Sequence, residues 1–272
     1  MHIWSYGLAE FLRHSNEDAI CSNFIGRLIS RASRQMWPDC KTFIRVADIG
    51  CGPGSKAVGI AQRLRSDGLK THWDLIDIDE NWKDILAENV RLAGNMNDIR
   101  FDVRCPLSAG LWAQSLPAAP HVAQFIQVPY DDETEEMVYR LTLDLAARRS
   151  FILISAEHPR SDLNRIRERF AGLGYRDVPS GRAISLAKRF RDRGLLVKHY
   201  TLGKQFLDIK CARLNGDSEW LWDLILGSKR NKPDPCKLTE IIEEYCASSP
   251  VPSLNEFILS VPDVLLTVRQ RA

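Results

Sequence analysis

Residues Val46 to Gly54 read VADIGCGPG: an acid, then glycines at 50, 52 and 54, set between an apolar run and an amphipathic one. Few folds accept that pattern. Glycine takes positive φ at little cost, so alternate glycines permit a tight turn and let the backbone come close to a ligand that a Cβ would hold off. A helix starting after the turn adds unpaired N–H groups at its N-terminus. The spacing is not GxxxxGK[ST], nor GxGxxG with its third glycine further on.

The chain around this turn alternates in character. Phe43 to Ile49 predicts a strand, and a helix follows to about Leu64, ended near Gly68. Further strands are expected at Trp73 to Ile78, Ile99 to Val103, Val122 to Val128 and Phe151 to Ser155, with helices running to Gly94 and from about Glu133 to Ala147. Strands alternating with helices argue for a parallel sheet covered on both faces. Before the core, Trp4, Leu8, Phe11 and Leu12 share one helical face. After Ser15, an N-cap candidate, Ile20, Phe24 and Leu28 with Ile25 and Ile29 repeat at spacing four. Beyond Pro159 the pattern loosens. It suggests a helix over Leu163 to Leu173, a strand over Leu195 to Leu202, helical runs near Trp220 to Leu226 and Leu238 to Tyr245, and a closing strand at Val264 to Val268.

Charge restricts the partners. The 272 residues carry 37 Lys+Arg and 35 Asp+Glu, a net +2, which excludes a chain basic throughout like a dedicated nucleic-acid binder. The balance is uneven, for Arg160 to Lys198 holds eleven Lys/Arg against four Asp/Glu. That segment either meets an anionic partner or is a solvated helix face neutralised by the acidic run Asp131 to Glu136. The seven cysteines form no CxxC pair, which argues against a zinc site and a disulfide framework and for a reducing compartment. No apolar run reaches the roughly 18 residues of a membrane span, so a soluble cytoplasmic protein without membrane partners is expected.

DxGxGxG at the end of a first strand resembles motif I of the class I S-adenosylmethionine-dependent methyltransferases, in which this loop wraps the methionine part of the cofactor. The resemblance implies an α/β fold: a Rossmann-like, doubly wound, seven-stranded, mostly parallel sheet with a helical substrate-binding lobe and an N-terminal helical lid. It implies S-adenosylmethionine as cofactor, S-adenosylhomocysteine as product, and contacts from Asp48, Gly50, Cys51, Gly52 and Gly54. The second strand ends Leu75-Ile76-Asp77-Ile78-Asp79. A carboxylate there can accept the ribose hydroxyl hydrogens, as in dinucleotide folds. The family's order of acid, then helix, gives that role to Asp77 beside Ile78, and leaves Asp79 to cap the next helix.

FLRHSNEDAICSNFI, from Phe11 to Ile25, resembles the N-terminal substrate-covering segment of the histamine N-methyltransferase family. FIQVPY (Phe125 to Tyr130) resembles its IQMxY stretch, and LWDLI (Leu221 to Ile225) resembles an LWDF helix. This resemblance implies that Glu17 grips the substrate's imidazole or ammonium, that Gln127 faces the methyl-accepting nitrogen, and that Trp4 and Tyr130 wall the pocket. On the cofactor side it points to Ser108 at the adenine and to Ile126. The sequence departs from the family at Pro262 and Trp82, where the family has a pocket asparagine and a cofactor-contacting glutamine, so the acceptor is not assigned. The expected divisions are an N-terminal lid over 1–40, a cofactor-binding core over 41–158, and a substrate lobe with the sheet's closing strands over 159–272.

Other readings of the same residues remain open. Glu17 suits the first turn of a helix by the helix dipole alone. Trp4 can be simple packing. QVPY is also similar to the [DNS]-[apolar]-P-[aromatic] tetrad of methyltransferases acting on amino groups of nucleic acid or on protein glutamine, with Gln127 in place of the usual Asp, Asn or Ser. Ser155, Glu157 and His158 are expected after the fifth strand, where a general base can stand. A module that binds the cofactor without catalysis is a third alternative. The reading preferred is an enzyme that moves a methyl group to a nitrogen of a small amine or imidazole-like substrate, without nucleic acid or metal.

Overall fold

The computed structural model describes residues 11, 13–38, 43–93, 97–128, 132–172, 182–203, 205–210, 221, 235–247 and 257–271. Trp4 and Tyr130 lie outside them, as does most of the helical run expected near Trp220 to Leu226. In chain order the core elements are α1 (Glu17–Met36), β1 (Ile44–Ile49), α2 (Ser55–Ser66), β2 (Thr71–Ile76), a 3-10 turn (Glu80–Trp82), α3 (Lys83–Leu92), β3 (Ile99–Arg104), α4 (Ala109–Ser115), β4 (Val122–Ile126), α5 (Asp132–Ala147) and β5 (Phe151–Glu157). Then come α6 (Asp162–Gly172), α7 (Arg182–Asp192), β6 (Leu196–Leu202), β7 (Phe206–Asp208), α8 (Pro235–Ala247), β8 (Ile258–Ser260) and β9 (Asp263–Arg269).

Seven strands form the main sheet in the order β3-β2-β1-β4-β5-β9-β6, so the expected α/β architecture is the one observed. The pairs β1/β2, β2/β3, β1/β4 and β4/β5 are parallel. The order runs outward from β1 on one side and from β4 on the other. A crevice therefore opens between their carboxyl ends, where open α/β sheets bind ligands. One face of the sheet packs Ala47, Ile49, Ala123, Phe125, Ile152 and Ile154 against α5 and α7 through Val138, Leu145, Leu186 and Phe190. With β1 buried at both faces, IRVADI reads as a nearly continuous apolar run rather than an alternating one.

The chain divides into two compact units. One draws on Asp18–Ala156, Arg182–Tyr200 and Val264–Ala272 and contains most of the sheet; the other draws on Met1–Glu17, Glu157–Gly181 and Thr201–Asp263. The second has its own core, with Leu163, Ile166 and Phe170 of α6, Ile241 and Ile242 of α8, and Leu259 of β8. Asp162 anchors it by accepting the Tyr245 hydroxyl at 2.5 Å and the Ser260 N–H at 2.7 Å. Among the described residues no helix is long and apolar enough to cross a membrane.

Several boundaries move from their expected places. β2 ends at Ile76 rather than Ile78, and β4 at Ile126 rather than Val128, because the chain turns as soon as it leaves the sheet. β5 runs on through Glu157, so Ser155 lies within it and not after it. The short elements α4, β7 and β8 carry too few apolar residues for a periodic signal, and α4 is marked only by its cap, Ser108, whose Oγ accepts from Leu111 N–H.

Candidate functional site

The loop from β1 to α2 takes the form that its glycines permit. Gly50, Gly52 and Gly54 have φ of 75°, 53° and 75°. A Cβ on Gly50 would stand 2.6 Å from Val128 Cγ2, so that position needs both the missing side chain and the left-handed backbone. The N–H groups of Gly50 and Cys51 both donate to the Ile76 carbonyl, at 2.8 and 3.1 Å, which ties the loop to the end of β2.

Asp77 completes that tie. Its Oδ2 accepts from Gly52 N–H at 2.8 Å and its Oδ1 from Asp79 N–H at 2.9 Å. Burial pushes its carboxyl above the usual range, the neighbouring Asp79 adds to this, and the backbone donors oppose it. Asp79 does what its position in the sequence suggests: its Oδ1 accepts from Asn81 N–H at 3.1 Å and starts the 3-10 turn. Between the two acids Ile78 is 72% exposed, an apolar surface at the lip of the loop.

Asp48 lies at the end of β1, opposite Gln124 of β4 in the strand register. Both are buried in the sheet. Among the described residues Asp48 Oδ1 has no hydrogen-bond partner, and neither Gln124 amide atom has one. Burial raises the Asp48 pKa to about 7; the Gln124 amide, near Asp48 but outside hydrogen-bond geometry, and the Lys56 charge lower it in part, and the Asp77 charge raises it. The same burial, with Asp48 and Asp77 close by, pushes the Cys51 thiol well up, so it stays protonated and is no nucleophile. The loop thus collects two carboxyl groups, one with an open acceptor, in a partly desolvated corner suited to a cationic ligand.

Across the switch point, Ile126 is buried at the end of β4. Gln127 follows with φ of 58°, a left-handed conformation that costs a non-glycine residue about 1–2 kcal/mol. Its N–H donates to the Ser155 carbonyl at 2.9 Å, which holds it there. Backbone strain of this kind gathers at functional positions. Among the described residues Ser155 Oγ is buried without a partner, and Ser155 stands beside Ile126 in register. Ser108 keeps its hydroxyl hydrogen for another acceptor while its oxygen caps α4.

Of the expected site residues, the structure gathers Asp48, Gly50, Cys51, Gly52, Gly54, Asp77 and Ile78 at the end of β1 and β2, and Ile126 and Gln127 at the end of β4. Glu17 opens α1, is buried, and belongs to the other unit. In that unit Glu157 is committed to Arg167 and Ser161, which leaves it poorly placed to act as a free base. Gln124 was missed. A lone amide inside the otherwise apolar strand VAQFI is the signal that could have found it.

Part of the basic segment is held in ion pairs. Arg182, nearly buried, donates to Asp132 at 2.9 Å and Glu135 at 3.0 Å. Arg189 meets Glu136 at 2.6 Å and lies 3.7 Å over the Tyr139 ring. These arginines of α7 are spent on the acidic start of α5.

No protein-family model matches the chain, and no curated protein matches it. Solved structures do. One is the YcgJ protein from Bacillus subtilis, 12% identical over 91% of this chain and 98% of that one, with a TM-score of 0.53. Another is the plantazolicin methyltransferase BamL, solved in complex with a triazolic desmethylPZN analog and SAH, 15% identical over 98% of this chain and 90% of that one, with a TM-score of 0.51. The chain shares their fold.

Proposed function

We propose that this chain is an S-adenosylmethionine-dependent methyltransferase acting on a small molecule, with a nitrogen of an amine or imidazole-like compound as acceptor, as in the histamine N-methyltransferase family that its sequence resembles. The observation that carries the reading is the pairing of Asp77 with the glycine loop beside the open acceptor of Asp48, at the switch point of the sheet. The residues present suit the cofactor. Gly50 leaves room that a Cβ would fill, Asp48 Oδ1 lacks a partner, and two carboxyl groups favour a ligand with ammonium and sulfonium charge.

Bound there, the cofactor would supply a methyl group already activated by a good leaving group. The tasks left to the chain are alignment and exclusion of water. The glycine loop and Asp48 would hold the methionine part, Asp77 the ribose, and Ile78, Ser108 and Ile126 the adenine and its surroundings. Gln127, fixed by its strained backbone, would turn the acceptor nitrogen toward the methyl, and Glu17, Trp4 and Tyr130 would orient and enclose the substrate. A nitrogen that enters neutral needs no strong base, so turnover should rise with pH through the amine's pKa. Two arginines of the basic segment, Arg182 and Arg189, are paired with carboxylates and so are not offered to a nucleic acid.

The test is calorimetric titration with S-adenosylmethionine and S-adenosylhomocysteine, followed by an S-adenosylhomocysteine release assay over small amines, imidazoles and hydroxy acids, with Glu17→Gln as control. Saturable binding of both and turnover confined to amines or imidazoles is expected. Absence of cofactor binding would overturn the reading, and unchanged turnover in Glu17→Gln would remove that residue from the pocket.

A further inference from the structure

Several arginines in the sheet-bearing unit meet a carboxylate. Arg104 pairs with Asp74 at 2.8 Å, Arg91 with Glu88 at 2.6 Å and Arg148 with Asp144 at 3.3 Å. Arg27, Arg31 and Arg34 of α1 do not. Among the described residues none of the three makes an ion pair or a hydrogen bond. Their spacing, i, i+4 and i+7, puts them on one stripe of the helix.

Like charges at that spacing destabilise a helix. Arg34, in the last turn, gains from the helix dipole, but Arg27 and Arg31 are mid-helix and do not. A fourth guanidinium joins them from α2. Arg63 lies against Gly26 of α1, where an added Cβ would meet its Cγ at 2.6 Å. It gives Nη2 to Asp67 at 3.1 Å, and among the described residues its buried Nε has no partner. Together with Ser30 and Gln35, these residues line an open, solvent-facing cavity of about 410 Å³, its rim formed by the exposed Arg27, Arg31 and Arg34, with four arginines against the single carboxylate of Asp67.

We propose that this cavity binds a ligand carrying two adjacent phosphate groups. Guanidinium forks match phosphate oxygens in geometry as well as charge. The stripe from Arg27 to Arg34 spans about 10 Å along the helix, longer than one phosphate can bridge and suited to a diphosphate. The site is separate from the glycine loop: Arg63 lies eight residues beyond Ser55, about 12 Å along α2 from the end that meets the loop. The inference does not depend on the proposed chemistry there.

The test is titration of the full chain with inorganic pyrophosphate, with ADP and with sulfate at equal ionic strength, read by calorimetry and by melting temperature. Saturable one-site binding of pyrophosphate is expected, with affinity falling about tenfold for each guanidinium removed, hence about a hundredfold in Arg27→Gln/Arg31→Gln. Arg27→Lys/Arg31→Lys, which keeps charge and loses the fork, should fall between. Arg148→Gln should bind as the unaltered chain does. ADP binding tighter than pyrophosphate would identify a nucleotide diphosphate as the source, and equal binding a free diphosphate; either supports the site. The Gln pair relieves like-charge repulsion and should melt no lower than the unaltered chain, and if it does not fold the Lys pair carries the test. Sulfate binding as tight as pyrophosphate, or an Arg pair variant that binds unchanged, would overturn the proposal.

Discussion

The Asp77 carboxylate accepts the Gly52 N–H at 2.8 Å and, with its other oxygen, the Asp79 N–H at 2.9 Å, so one side chain after β2 holds the loop that follows β1. Asp77→Asn keeps the shape but turns one of the two acceptors into a donor. Under the proposed function, affinity for S-adenosylmethionine should fall about ten- to a hundredfold, the worth of one or two charge-assisted hydrogen bonds. Calorimetric titration decides it, and an unchanged Kd would show that the loop holds itself.

Asp48 titrates late because burial penalises its charge, and this gives a pH signature. Its folded pKa of about 7 lies above the ordinary 3.8, so the folded state holds the proton more tightly. The stabilisation from that protonated carboxyl is complete below the ordinary value and is lost as pH rises through about 7. Asp48→Asn, which cannot ionise, should gain on the unaltered chain between pH 4 and 7 and hold a constant lead above, with a ceiling of about 4 kcal/mol. Urea unfolding of both proteins across that range is the measurement; parallel curves would remove Asp48 as the cause.

Gly50 is held by two constraints that can be separated. Gly50→Ala meets Val128 Cγ2 at 2.6 Å and must also adopt φ of 75°. A loss of about 1–3 kcal/mol is expected. Val128→Ala in the same chain should restore the part due to the clash and leave the backbone part, which a double-mutant cycle in thermal unfolding would reveal.

Under the proposed function, Gln127 sets stability against turnover. Gln127→Gly removes the left-handed strain and should stabilise the fold by about 1 kcal/mol, while turnover on the acceptor falls because the side chain is gone. Gln127→Asn should keep the strain and retain part of the turnover. If Gln127→Gly turns over at the full rate, the glutamine has no part in the reaction.

Arg182 and Arg140 are both paired with carboxylates of α5 but differ in burial, with side chains 8% and 77% exposed. Arg182→Ala removes the nearer of the two arginines at Glu135, leaving Arg189 at 3.5 Å, and should cost about 1–3 kcal/mol. Arg140→Ala should cost less than about 0.5 kcal/mol. Equal losses in chemical denaturation would mean that burial does not set the difference.

Much of the sheet was legible because each central strand is a short apolar run bounded by turn residues, and β1, β4 and β5 are buried on both faces. The glycine loop was legible for another reason: positive φ at alternate positions restricts the residue type locally, whatever surrounds it. The cap at Asp79 follows from the same kind of short-range bond. The weak points are those where identity depends on distant neighbours. Ser155 is expected at the rim and is inside β5; nothing local to Gln124 shows that it stands opposite Asp48.

Charge shows the division most clearly. Sequence alone placed the excess of arginine between 160 and 198 and named Asp131 to Glu136 as its possible neutraliser, since composition and helical spacing are local properties. Only the tertiary structure decided which arginines are satisfied. α5 and α7 share one face of the sheet, which brings Arg182 and Arg189 to Asp132, Glu135 and Glu136 across about fifty residues of chain. α1 packs on α2, which brings Arg27, Arg31 and Arg34 to another arginine, Arg63, and to one acid. A charge takes its partner from whatever packing places within a few ångströms, and a linear sequence does not contain that distance.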